Sequence, residues 1–319
     1  MTAGALLVLG VLTLTFVLVE AAPGTAADLL AAERPLPPEA RARLEAAFGL
    51  DRPPLARYGT WIAGALRGDL GWSISRGRPV AQVVASALPA TLLLAGLALA
   101  VQLGVGVALG TLHVVKPGGT FDHVAGVVGL TVASIPTFWL GLMAVLALAY
   151  RIPIFPPSSS HSIGASEWPA LARGIDALWH AALPATVLGV GAAAALARYV
   201  RAGLLRALGE GFVRAAKARG ASPAVLVVRS ALPATLGPVV TLAGVSLPTL
   251  VSGSIVVEVV FGWPGMGRLA YDAVLARDVP VVLAAVLLAT VLVVFGSLAA
   301  DLGLAWADPR ARASVTGNG

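Results

Sequence analysis

Residues 214–233 read RAAKARGASPAVLVVRSALP, placing four cations in a chain otherwise built mostly of Ala, Leu, Val and Gly. On either side lie apolar runs at 181–199 and 236–261. Each is long enough to cross a bilayer, whose roughly 30 Å hydrocarbon core takes about 20 helical residues. Cations between two such runs set sidedness, because short loops rich in Lys and Arg stay on the cytoplasmic side. The loop holds Arg201, Arg206, Arg214, Lys217, Arg219 and Arg229 against the acid Glu210. It is therefore expected in the cytoplasm.

Composition extends the reading to the rest of the chain. With 58% hydrophobic residues, 12% charged residues and a mean hydropathy of +0.88 over 319 residues, the apolar surface exceeds what a soluble domain could hide. Further runs lie at 88–114, 123–150 and 280–304, and a shorter one at 3–19. The shortest has no basic start, and Ala22-Pro23 makes a poor cleavage site, so it reads as an uncleaved first span rather than a signal peptide. Gly (36) and Pro (22) do not oppose helices in a membrane, where neighbouring helices re-satisfy freed backbone groups.

An all-α, polytopic membrane protein with six transmembrane helices follows. The loops after spans three and five pair Arg151 with Arg173 and Arg268 with Arg277, each pair balanced by two acids, so they face outside. Six spans then put both termini in the cytoplasm, which suits the tail ADPRAR at 307–312. The expected division is a first span at 1–19, an extracytoplasmic segment at 20–87, and a five-helix core at 88–319 with a cytoplasmic loop at 201–232.

The outer segment reads as a small helical structure. Pro37-Pro38 opens a helix to about Phe48, stopped by Gly49, and Pro53-Pro54 opens a second to about Arg67. GDLGWSISRGR at 68–78 is a turn-rich return, and PVAQVVAS at 79–86 suits a short interfacial helix. LPAT recurs at Leu88, Leu183 and Leu232, read as proline tolerated at helix starts.

Within the loop, a helix over 205–219 would put Leu205, Leu208, Phe212 and Ala216 on one face and Glu210, Arg214 and Lys217 on another. Glu210 would stand four before Arg214 for a favourable pair. Gly220 is a helix stop, and Ser222-Pro223 a restart in which the serine caps and the proline sets the first turn. The bland reading is a solvated basic loop that fixes topology and binds acidic lipid heads. The sharper one is a docking knob.

Spacing favours the knob. Ala215-Ala216, Gly220 and Leu232-Pro233 match the pattern EAA, three residues, G, nine residues, I-x-L-P, with Arg214 at the Glu position and Ser230 at the Ile position. FVRAAKARG resembles the version found in permeases for peptides and nickel. Other blocks agree: GLDRPPLARYGTWIAGALRGDLGWS (49–73), GGTFDHVAGVVGL (118–130), SIPTFWLGL (134–142), HAALPATVLG (180–189) and EVVFGWPGMGRLAYDAVLARDVPVV (258–282). The chain resembles B-type permeases of the dipeptide, oligopeptide and nickel ABC importers. It departs from them in lacking a basic leader and in Pro233-Ala234-Thr235, where relatives usually carry polar residues.

The resemblance implies a bacterial or archaeal inner-membrane subunit of type I importer fold that works with a homologous second permease, two ATPase subunits and an extracytoplasmic substrate-binding protein. It makes the loop a pair of coupling helices seated in an ATPase groove. The residues placed there are Glu210, Phe212, Arg214, Ala215, Ala216, Lys217, Arg219, Gly220, Ser222, Pro223 and Leu226. No G-x-x-x-x-G-K-[ST] phosphate loop occurs in the sequence, so ATP and Mg would belong to the partner subunits and the chain would be no enzyme.

Other titratable residues give less. Cysteine is absent, and His113, His123, His161 and His180 lack the spacing of a metal pair on one helix, so each reads as an interfacial or loop residue. Glu258 lies in an apolar run, where a carboxylate costs about 2.5 to 3.5 kcal/mol at a helix centre and less near an end. Two readings stay open: an interfacial acid paired with a loop cation such as Arg268, or part of an outer gate with Gly262, Trp263, Pro264 and Gly265. Asp301 reads as a helix-end acid, and with Asp122 leaves too few membrane carboxylates for a proton relay. An ion-driven secondary transporter would want more such residues and paired broken helices. A membrane enzyme would want a catalytic constellation. Nucleic-acid binding is disfavoured because the basic helices are tied at both ends to membrane spans.

Overall fold

The computed structural model describes residues 2–22, 51–115 and 117–307, together with 37, 39, 42, 46 and 49; at 2, 3, 238, 241, 247, 252, 253 and 299–307 it describes the backbone alone. Of the helix expected between Pro38 and Phe48 only Glu39, Ala42 and Ala46 are among these residues; the tail beyond Ala307 and the side chain of Asp301 lie outside them. Among the described residues the fold is helical, apart from one antiparallel pair of two-residue strands, β1 (Trp72–Ser73) and β2 (Arg78–Pro79).

Four helices are long and apolar enough to cross a membrane: α1 (Thr2–Ala21), α3 (Val80–Val115), α6 (Ala170–Leu208) and α11 (Val279–Ala307). Two bent pairs bring the number of spans to six when each counts as one. The first is α4 (Thr120–Ser134) with α5 (Thr137–Val145) and its π-helical end (Leu146–Arg151), bent by 103°. The expected continuous run at 123–150 is therefore broken. Pro136 explains the break, because its ring pushes the preceding residue out of the helical region, and Ile135 is extended at φ −76°, ψ 131°. The second break bends 223–251 by 56°, largely within α9 (Leu232–Val260).

Two further expectations are corrected. No separate interfacial helix occupies 79–86, because Val80 already begins the 36-residue α3. Proline in LPAT does not mark helix starts in two of its three occurrences: Pro89 lies inside α3 and Pro184 inside α6. Each removes one backbone donor from a helix that packing maintains.

The chain divides into two compact units. The first comprises residues 1–91 with 264–292. Its core is a helix-spaced stripe of Val80, Val83, Val84 and Ala87, packed with Met266, Leu269 and Ala273 of α10 (Met266–Leu275) and with Val281, Val282, Ala284 and Ala285. α2 (Pro54–Ala65) starts with proline in its first turn, as expected, and its Tyr58 ring lies 4.8 Å from that of Phe16 on α1. Arg57 pairs with Glu20 at the rim of a cavity of about 930 Å³, lined in part by Phe16, Trp61 and Leu283. The turn-rich return is latched by Asp278, which accepts bonds from Ser73 Oγ (2.6 Å), Ser75 N (2.9 Å) and Ser75 Oγ (2.8 Å). Ser73 and Asp278 are both buried.

The second unit comprises residues 92–263 with 293–319. α6 is its centre, with α4, α5 and α9 packed around it. Lipid tails are as apolar as Leu, so close packing rather than water exclusion must hold such helices together, and small residues permit it. A Cβ on Gly189 would lie 2.5 Å from the Ala98 carbonyl oxygen, and one on Gly203 would lie 2.4 Å from Thr235 Cγ2. At one end of this unit Val114, Leu196, Val200, Leu204, Ala207, Val227, Ala231 and Val239 form a continuous buried cluster.

Candidate functional site

The basic stretch forms a hairpin on the end of α6. The helix expected over 205–219 is interrupted: α6 stops at Leu208, Gly209 caps it, Glu210 is extended (ψ 154°), and α7 begins at Gly211 and ends at Ala218. Glu210 thus precedes the helix, accepting the Arg214 N–H on its backbone carbonyl at 3.2 Å. The spacing of four is not realised inside one helix. Val213 is the buried residue of α7, while Arg214, Ala215, Lys217, Arg219 and Gly220 are exposed, Ala216 is half-buried, and Phe212 keeps 50% of its surface exposed.

Gly220 turns the chain as expected. At φ +87° it occupies the left-handed region that glycine alone enters without cost, and a Cβ there would meet nothing within 4 Å. Gly220 N donates to Lys217 O at 2.9 Å and Ala221 N to Ala216 O at 3.3 Å, the paired bonds that close a helix around a left-handed residue. The second arm runs through α8 (Pro223–Val225) into a π-helical turn, Leu226–Ala231. Ser222 stands at the N-cap position but makes no side-chain capping bond; its carbonyl accepts Leu226 N at 2.9 Å. Leu226, Val227 and Ala231 are buried, and Val225 and Val228 are exposed. The hairpin therefore has a pinned inner side and an outer side mixing cations with Phe212, Val225 and Val228.

A polar cluster stands near this hairpin's root. Asp122, 8% exposed, receives Arg201 Nε at 3.0 Å and Arg201 Nη2 at 2.7 Å, the Gly118 N–H at 2.9 Å, and His113 Nδ1 at 2.7 Å. An ionised carboxylate only accepts, so His113 carries its proton on Nδ1. Read along the sequence, Asp122 is an isolated membrane carboxylate, His113 an interfacial residue and Arg201 a cation that sets topology. Folding joins them. The available signal was their common level in a six-span arrangement, where span two ends, span three begins and span four ends on the side expected for the basic loop.

The residues expected at the gate differ in exposure: Glu258, Trp263 and Gly265 are buried, Gly262 is half-buried and Pro264 is exposed. Glu258 is 0% exposed and accepts Ser254 Oγ at 3.0 Å. Gly262, at φ +60°, ends α9 with the same bond pair found at Gly220: Gly262 N to Val259 O at 3.2 Å and Trp263 N to Glu258 O at 2.8 Å. Trp263 and Phe261 are buried, and the Phe261 carbonyl accepts Ser159 N at 2.9 Å. In the first unit, Pro264 is exposed, Gly265 is buried and extended, and α10 begins with Met266 N bonded to Thr91 Oγ1 at 2.7 Å. No group of three or more metal-ligating side chains occurs among the described residues.

Comparison with known proteins places this geometry. Residues 100–313 match the family described as the binding-protein-dependent transport system inner membrane component. The chain is 35% identical over 320 residues to the dipeptide transport system permease protein DppB of Escherichia coli strain K12, covering 95% of this chain and 94% of that one. It is 33% identical over 305 residues to the oligopeptide transport system permease protein AppB of Bacillus subtilis, covering 95% of each. An inward-facing structure of the MetNI methionine ABC transporter shares the fold, with a TM-score of 0.56 and 22% identity over 71% of this chain and 97% of that one. A multi-pass helical core, a family match over more than half of the chain and relatives similar along nearly all of it make this chain a member of the binding-protein-dependent transport system inner membrane components.

Proposed function

We propose that this permease lines, with a homologous second permease, a path for di- or oligopeptides delivered by an extracytoplasmic binding protein, and that hairpin 209–231 docks on one of two ATPase subunits. The names of its relatives support a peptide cargo. Nickel complexes or other small solutes are the alternative cargo. ATP and Mg would be held by the ATPase subunits. In this reading the hairpin is cytoplasmic, as are both termini, and 262–265 with Glu258 closes the outer end of the path.

The observation that carries the proposal is the two-sided hairpin. Its inner side, Val213, Leu226, Val227 and Ala231, is buried against the chain's own helices, so a push on its outer side is delivered to α6 and α9 rather than absorbed by a loose loop. Its outer side offers Arg214, Lys217 and Arg219 for complementary charge and Phe212 as an anchor.

Gly220→Leu tests it. The side chain has room within this chain, so the substitution acts through the left-handed backbone, at a cost of about 1 kcal/mol, and through whatever partner covers Gly220. The expected result is a permease that inserts and pairs with its second permease but loses ATPase subunits or binds them without transport. Full ATP-driven uptake with ATPase at normal stoichiometry would defeat the docking assignment. A loop that only binds lipid heads would respond to total charge and ignore this side chain.

A further inference from the structure

We propose that Asp122 is a positioning residue that makes the loop between α3 and α4 move as one body with the hairpin-bearing end of α6. The inference rests on the coupling role given to hairpin 209–231. It adds a second element, residues 113–122, to what the hairpin moves.

Four bonds on one carboxylate support it. Arg201 grips Asp122 through two guanidinium nitrogens, a planar two-point contact that fixes orientation as well as distance. His113, near the end of α3, and the Gly118 N–H bond to the same two carboxylate oxygens, Oδ1 and Oδ2 respectively. One buried group thus ties the end of α3, the start of α4 and the hairpin-bearing end of α6. Arg201 stands seven residues before the end of α6 at Leu208, roughly 10 Å along a helix at 1.5 Å per residue. Apolar packing spans the same ground: Val114, beside His113, shares a buried cluster with Val200, Leu204, Ala207 and hairpin residues Val227 and Ala231.

Position distinguishes this cluster from an ordinary stabilising ion pair. Asp122 is 8% exposed while the Arg201 side chain keeps 35% of its surface, so the pair is buried on the carboxylate side and reachable on the guanidinium side. An Arg at this point can report hairpin movement to a carboxylate that belongs to a different pair of helices. Truncating it cuts the link to α6 and leaves Asp122 with two remaining partners, His113 Nδ1 and the Gly118 N–H.

Spin-label distances in the reconstituted importer, with reactive cysteines removed from the partner subunits, test the clamp. The chain has no cysteine, so Val115→Cys (58% exposed) and Ala218→Cys (exposed) provide the two sites. Distances are read without nucleotide and after trapping with Mg-ATP and vanadate. In the otherwise unaltered chain the Val115–Ala218 distance is expected to be the same in both states, because loop and hairpin travel together. In Arg201→Gln and in Asp122→Asn it should match the unaltered chain without nucleotide, then shift and broaden on trapping. A distance that changes on trapping in the unaltered chain overturns the clamp, as does an Arg201→Gln variant whose distance stays fixed in both states. Should Asp122→Asn fail to assemble, Arg201→Gln alone decides. The coupling role itself fails separately, when Gly220→Leu retains ATPase binding and uptake whatever these distances show.

Discussion

Gly110 of α3 faces Val200 of α6 so closely that a Cβ on the glycine would lie 2.6 Å from the Val200 Cβ and 2.7 Å from the Ala197 carbonyl oxygen. Backbone cannot step aside as a flexible side chain can. Gly110→Ala is therefore expected to force the helices apart, at a cost of about 1–3 kcal/mol typical of overpacking. Gly104→Ala, where a Cβ meets nothing within 4 Å, should be tolerated. Thermal unfolding of the two variants in detergent, followed by size-exclusion chromatography, checks the contrast; equal melting temperatures would mean that this contact does not hold α3 to α6.

Those contacts show where sequence reading succeeds and where it stops. Spans and hairpin arms were legible because hydropathy and local turn chemistry determine them: Gly220 had to be left-handed to end α7, and Pro223 could open a helix without losing a needed donor. The break at Ile135 was equally local, with Pro136 in plain view, yet the apolar run on both sides concealed it. Gly209 was missed for a related reason. An amphipathic face can be drawn through it on a helical wheel, whereas the chain leaves the helix at Glu210. The Asp122 cluster was different in kind. Its members lie 9 and 79 residues apart, and only the packing of α3, α4 and α6 brings them within hydrogen-bonding distance.

Glu258→Gln separates gating from anchoring. An amide oxygen can still accept from Ser254 Oγ, so the buried bond survives while the carboxyl group is replaced. If Glu258 helps to close the outer end of the path, the assembled importer should show altered basal ATPase activity or altered uptake, with thermal stability near that of the unaltered chain. Wild-type rates in a stable assembly would leave Glu258 as a helix-end anchor only.

Sidedness has its own test. Ile163 and Ala218 are exposed and lie in loops assigned to opposite faces of the membrane. In sealed cells a membrane-impermeant maleimide should label Ile163→Cys from outside, and Ala218→Cys only after the membrane is opened. Labelling of Ala218→Cys in sealed cells would invert the topology and remove the hairpin from the ATPase side.

Charge on the hairpin should act by position. Arg214 and Lys217 are exposed on α7, one turn apart, whereas Arg206 is exposed on the last turns of α6. Complementarity with an ATPase groove requires that Arg214→Glu or Lys217→Glu weaken ATPase retention severalfold and slow association, since rim charges govern encounter more than the lifetime of the complex. The defect should deepen when both are reversed. Raising the salt concentration should narrow the difference between variant and unaltered chain, because a Debye length of about 10 Å at 0.1 M falls to roughly 3 Å at 1 M. Arg206→Glu removes the same charge but lies off α7, so it should leave ATPase retention nearly unchanged. A lipid-binding loop predicts otherwise: all three reversals would reduce attraction to acidic headgroups alike, and none would change ATPase retention in detergent, where no bilayer remains. Retention measured in detergent across a salt series therefore decides between the two, and equal behaviour of Arg206→Glu and Arg214→Glu there would count against docking through α7.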